Sequence, residues 1–159
     1  MLRSHTGLHV STHAARRAWV SFNLMRPILV VDDSPTIRRM VKAALAELAS
    51  SGFVEAASGL EAIERLTLTP VALMVLDLNM PDMHGVEVLK FVRRHPGYQQ
   101  LPVIVLTTRG DEESRKMSLD AGATLYLTKP FTPAALADQA RSLIGAGEPA
   151  AEGNLRGDS

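Results

Sequence analysis

Between residues 27 and 144, short uninterrupted apolar runs alternate with stretches in which apolar residues recur every third or fourth position. The runs are ILVV (28–31), LMVL (73–76) and VIVL (103–106), and the mixed segments VEAA (54–57) and LYLT (125–128) read as a short second and a fifth strand. A half-exposed strand alternates apolar and polar residues, so continuous runs predict strands covered on both faces. After the first run, Ser34 offers a helix N-cap and Pro35 takes the first helical position, where its missing N–H costs nothing. Ile37, Met40, Val41, Ala44, Leu45 and Leu48 then form one helical stripe, which Gly52 ends. Ala62, Ile63 and Leu66 mark a second helix, Val88, Leu89 and Val92 a third, and the polar DEESRKMSLD (111–120) a weakly patterned fourth. Leu136, Ala140, Leu143 and Ile144 line a fifth. Five strands alternating with five helices predict a doubly wound α/β fold, a parallel sheet with helices on both faces. Ligands in such sheets bind beyond the carboxyl ends of the strands.

The 159 residues suffice for one well-cored domain, and 46% hydrophobic with 21% charged residues is the composition of a soluble globular protein. Formal net charge is zero, so no bulk field argues for nucleic acid or an anionic membrane. The absence of cysteine excludes disulfides, thiol catalysis and thiolate metal sites. No apolar run approaches a membrane span, and a cytoplasmic location without membrane partners is expected.

The charge is unevenly spread. Residues 1–26 carry Arg3, Arg16, Arg17 and Arg26 and no acid, with no clean period. This head is expected to be disordered, or an extension upstream of a start at Met25; its composition resembles a transit peptide only loosely. His5, His9 and His13 would align on a helix, but no carboxylate accompanies them, so metal binding there is not expected. Residues 145–159, rich in Gly, Pro and polar groups, are expected to be a disordered tail, and their RGDS ending is read as a chance match to an adhesion motif. The folded domain is thus assigned to residues 27–144.

The strand ends carry the chemistry. Asp32 and Asp33 follow the first strand, Asp77 the third, Thr107 the fourth and Lys129 the fifth. The second contributes nothing obvious. Acid pairs after a strand often serve as helix caps, and a Lys-Pro pair is commonly just a turn; order and spacing together argue for more. Three converging carboxylates repel, and a hard divalent cation such as Mg²⁺ relieves them. A hydroxyl and an ammonium suit phosphoryl oxygens. Phosphoryl transfer to a carboxylate follows, with Asp77 as nucleophile.

ILVVDDSPTIRRM, VLDLNMPDMHG, VIVLTT and YLTKPF resemble the receiver domain of two-component response regulators, in particular the stand-alone CheY-like kind. The resemblance spans residues 27–144 and implies a flavodoxin-like (βα)5 sheet of strand order 2-1-3-4-5. It further implies Asp77 as phosphoacceptor and Mg²⁺ held by Asp33, Asp77 and the backbone carbonyl of Asn79, with Asp32 completing the acidic pair. Thr107 matches the hydroxyl that moves to the phosphoryl group, Lys129 the ammonium that pairs with it, and Tyr126 the aromatic whose rotamer follows the threonine. The Lys129–Pro130 bond would be cis. Asn79, Thr108 and Arg109 occupy positions that tune rates. His84 stands where Asp or Asn usually precedes the glycine, implying a poorer cap for the third helix.

A phosphatase of the haloacid dehalogenase type would want a second Asp two residues after Asp77, where this chain has Asn79. A degenerate receiver would lack an acid, the Thr or the Lys, and all are present. The reading is therefore a switch that catalyses only its own phosphorylation and dephosphorylation and is not otherwise an enzyme. A histidine kinase is the implied donor. The downstream partner would be a motor or polar complex in chemotaxis or, alternatively, a histidine phosphotransfer protein in a phosphorelay. With 15 residues after Ile144, no DNA-binding unit is expected, and the protein is expected to be a monomer or weak dimer.

Overall fold

The computed structural model describes residues 12–108 and 110–146. Five parallel strands, β1 (Ile28–Val31), β2 (Phe53–Ala56), β3 (Leu73–Leu76), β4 (Val103–Thr107) and β5 (Leu125–Thr128), form one sheet of order β2-β1-β3-β4-β5. Helices α2 (Pro35–Leu45), α3 (Gly59–Leu68), α4 (Gly85–Arg94), α5 (Glu112–Asp120) and α6 (Pro133–Ala146) connect or follow the strands.

The apolar runs divide by parity, because successive strand residues face opposite sides of a sheet. Leu29, Val31, Met74, Leu76, Val103 and Val105 join residues of α3 and α4 in one core. Ile28, Val30, Leu73, Val75, Ile104 and Leu106 join residues of α2 and α6 in the other. This explains why β1 and β3 are apolar throughout and β4 is apolar up to its terminal Thr107: every residue in them is buried. The edge strands β2 and β5 are only partly covered.

The register sets the site. Ile28 pairs with both Phe53 and Leu73, so β1 and its two neighbours start and end together. β2 therefore runs Phe53–Ala56, one residue earlier than the sequence pattern indicates. The main chain continues this alignment beyond the strands, with the Asp32 N–H donating to the Ala56 carbonyl at 3.1 Å and the Asp77 N–H to the Val31 carbonyl at 2.9 Å.

Two expectations are corrected. The head does not lack structure throughout: Thr12–Leu24 form a helix, α1, which touches α6. Its alanines and arginines are good helix formers, and no Gly or Pro interrupts them. The Arg26 guanidinium lies 4.0 Å over the Phe22 ring just beyond it. The last helix continues through Gly145 to Ala146, so residues 145 and 146 belong to the fold and not to the tail. The N-cap of α4 is His84, its Nδ1 accepting from the Val86 N–H at 3.2 Å. His13 lies exposed on α1; His5, His9, Arg109 and RGDS lie outside the described residues.

Candidate functional site

Asp32, Asp33 and Asp77 each place a carboxylate oxygen within 4.8 Å of the others. Asp32 and Asp77 are buried, and Asp33 is exposed. Lys129, held just after β5 by its own N–H donating to the Thr107 carbonyl at 2.7 Å, reaches two of the three. Its Nζ is 2.7 Å from Asp32 Oδ2 and 3.6 Å from Asp77 Oδ1. Asp32 Oδ1 accepts from the Ser34 N–H at 2.9 Å, so both oxygens of that carboxylate are engaged. Asp77 is held less tightly, its Oδ1 accepting from the Asn79 N–H at 3.3 Å.

The electrostatics follow. Burial, and next the Asp32 carboxylate, push the Asp77 carboxyl above the usual carboxylate range, while Lys129 pulls the other way. Among the described residues, one ammonium thus faces three acids. The donor set is wholly hard oxygen, open on the Asp33 side, which fits Mg²⁺ better than a soft metal.

Thr107 ends β4 fully buried, and its Oγ1 accepts from Asn79 Nδ2 at 3.3 Å. Asn79 therefore touches both the Asp77 carboxylate and the Thr107 hydroxyl. Thr108, the next residue, is exposed. The Lys129–Pro130 peptide is cis. Tyr126 on β5 packs against the α3/α4 core, and its hydroxyl is buried with no hydrogen-bond partner among the described residues. Burial, with the Asp111 carboxylate second, raises its phenol pKa.

Three contributors escaped the sequence reading. A Cβ at Gly85 would lie 2.6 Å from the Asp77 carbonyl oxygen and 2.8 Å from Leu78 Cα, so only glycine lets α4 start against the Asp77 loop. Asp82 in that loop accepts from the Gly59 and Leu60 N–H groups, both at 3.2 Å, pinning the loop to the start of α3. Arg38 on α2 donates to the Asp32 main-chain carbonyl at 2.7 Å. A glycine at a helix start was visible as a cue. The other two contacts join residues 23 or 22 and 6 positions apart, through loop geometry that no local pattern encodes.

Residues 28–141 match the family model of the response regulator receiver domain. The chain is 41% identical over 128 residues to a chemotaxis protein CheY homolog of Campylobacter jejuni, covering 79% of this chain and 98% of that protein. It is 37% identical over 119 residues to chemotaxis protein CheY1 of Helicobacter pylori, covering 74% and 96%. Among solved structures, chemotaxis protein CheY4 of Vibrio cholerae matches with a TM-score of 0.69 at 34% identity, covering 75% of this chain and 98% of that one. Helix α1 precedes the matched stretch.

Proposed function

The chain belongs to the response regulator receiver family, and on that premise we propose that it is a single-domain chemotaxis switch phosphorylated on Asp77 by a histidine kinase. The observation that carries this reading is the convergence of Asp32, Asp33 and Asp77 with the Lys129 ammonium bridging two of them. The chemotaxis proteins it resembles supply the branch of signalling. A cytoplasmic setting accords with this, and among the described residues no helix is long and apolar enough to cross a membrane.

In this reading an Asp77 carboxylate oxygen attacks the phosphorus of a phosphohistidine. The new bond is Asp77 O–P; the bond broken is P–N, and its electron pair returns to the imidazole. Bound Mg²⁺, held by Asp33 and Asp77 with the Asn79 carbonyl as the further ligand, would shield the acids and draw charge from the phosphoryl oxygens. Lys129 is already 3.6 Å from Asp77, so turning from Asp32 to a phosphoryl oxygen is a small movement. Thr107 reaches the phosphoryl group by giving up the Asn79 amide.

The phosphoryl group adds roughly −1.5 to −2 charges, and its answer travels toward β5. Tyr126 sits beside Thr107 in the sheet, since Thr107 pairs with Thr128 and Val105 with Tyr126. Only Ser114 and Ser118 of α5 are buried, so that helix lacks an apolar anchor and suits a movable element. The face formed by α5, β5 and α6 is the proposed docking surface for a downstream protein. The protein catalyses only its own phosphorylation and dephosphorylation.

The test is phosphotransfer from an autophosphorylated chemotaxis histidine kinase carrying labelled phosphate. Label should pass to the wild type and not to Asp77→Asn. Label arriving equally on both would place the acceptor elsewhere and overturn the reading.

A further inference from the structure

Strand β2 sends no group of its own to the acid cluster, yet it reaches the site through α2. Arg38 lies 16% exposed between the two, its Nε 3.1 Å from Glu55 Oε1 on β2 and its NH1 2.7 Å from the Asp32 main-chain oxygen. Lys42, one turn further along α2, takes the other Glu55 oxygen at 3.1 Å. The Lys42 hydrogen bond, and after it Arg38, hold the Glu55 carboxyl below its ordinary range, against the effect of burial.

We propose that Arg38 is a positioning residue for the metal site, acting on Asp33 through the peptide that joins it to Asp32. The inference rests on the reading of Asp33 as a Mg²⁺ ligand. The peptide group is planar, so a donor that fixes the Asp32 carbonyl fixes the Asp33 nitrogen and the origin of its side chain as well. Asp32 does not need this help, because the sheet holds its N–H while Ser34 and Lys129 hold its carboxylate. Asp33 does need it. Its carboxylate is exposed, with no hydrogen bond or ion pair among the described residues, and its placement depends on the main chain alone. The guanidinium fork suits the task, since one edge can lock onto Glu55 while another nitrogen serves the carbonyl. A lysine ammonium has no such planar fork.

The sign of one measurement separates positioning from mere charge. Mg²⁺ is titrated calorimetrically into the full chain as wild type, Arg38→Ala and Arg38→Lys, with a thermal melt of each. Positioning predicts that both variants bind Mg²⁺ about tenfold more weakly, the lower end of what removing a ligand's supporting partner costs. A purely electrostatic role predicts the opposite: losing a cation beside three carboxylates tightens binding in Arg38→Ala, and Arg38→Lys matches the wild type. That result overturns the proposal, as do melts that fall while Mg²⁺ affinity stays unchanged. If Arg38→Ala does not fold, Arg38→Lys decides alone. A wild type that binds no Mg²⁺ overturns the metal reading and this inference with it, whereas equal affinities in all three proteins overturn the inference only.

Discussion

Replacing Asp77 by Asn removes the proposed nucleophile with almost no change in shape, and without metal it should stabilise the domain. Two acids lie within 4.8 Å of Asp77, and at an effective dielectric of 20 each costs at least about 3.5 kcal/mol. Lys129 at 3.6 Å returns about 4.6 kcal/mol on the same scale. Asp33 is exposed, and its share is roughly halved by solvent, leaving a small net repulsion. Burial, the largest cause of the raised Asp77 pKa, adds in the same direction, so the ionised Asp77 carboxylate is a net cost to the fold. For a domain of this size each ~1 kcal/mol relieved is a rise in Tm of roughly 4 °C. The sign with pH follows. A carboxyl whose folded pKa is raised costs stability once pH exceeds its unfolded value, and the full cost is present above the folded value. The gain from Asp77→Asn should therefore be largest above the folded pKa, shrink as pH falls through it, and vanish only below the ordinary Asp value of about 4, where Asp77 is protonated folded or unfolded. Mg²⁺ should reverse the order, since at 100 times its Kd it adds about 2.7 kcal/mol to the protein that binds it. The assay is denaturant unfolding at neutral and acid pH, with and without Mg²⁺. An Asp77→Asn protein less stable than wild type at neutral pH without metal would show that the Lys129 pair outweighs burial and repulsion, and would refute the reasoning.

Three further substitutions probe the surrounding structure. Asp33→Ala should weaken Mg²⁺ binding more than Asp32→Ala, because Asp32 spends its oxygens on Ser34 and Lys129; equal losses in a metal titration would contradict that division. Tyr126→Phe should raise stability by about 1 kcal/mol, as it removes a buried hydroxyl without a partner among the described residues; an equal loss in denaturant unfolding would reveal a bond to that oxygen. Gly85→Ala should cost about 1–3 kcal/mol despite alanine's better helix propensity, because the added methyl meets the Asp77 carbonyl; a gain in stability would show that α4 can simply move aside.

Much of this architecture was legible because its signals are local. ILVV, LMVL and VIVL are buried on both faces, and such strands show as unbroken apolar runs. Asp32, Asp77 and Thr107 stand where those runs stop, which a parallel sheet turns into one edge. Helix α1 was not legible, because its described side chains are mostly exposed and its sequence carries no clean apolar period to announce a helix. The role of the second strand was also hidden. Glu55 reads as a charge on a half-covered edge strand, and only the packing of α2 against it joins Glu55 to Arg38 and Arg38 to the Asp32 carbonyl. Likewise the His84 cap uses a ring nitrogen in place of the usual carboxylate or amide oxygen.

The central claim is that Asp77 accepts a phosphoryl group, and acetyl phosphate with Mg²⁺ tests it without any partner protein. Intact-mass spectrometry of the full chain should show one added phosphoryl group, dependent on Mg²⁺ and absent from Asp77→Asn, with peptide mapping placing it in residues 73–85. A phosphoryl group that persists in Asp77→Asn, or maps to another segment, would contradict the account.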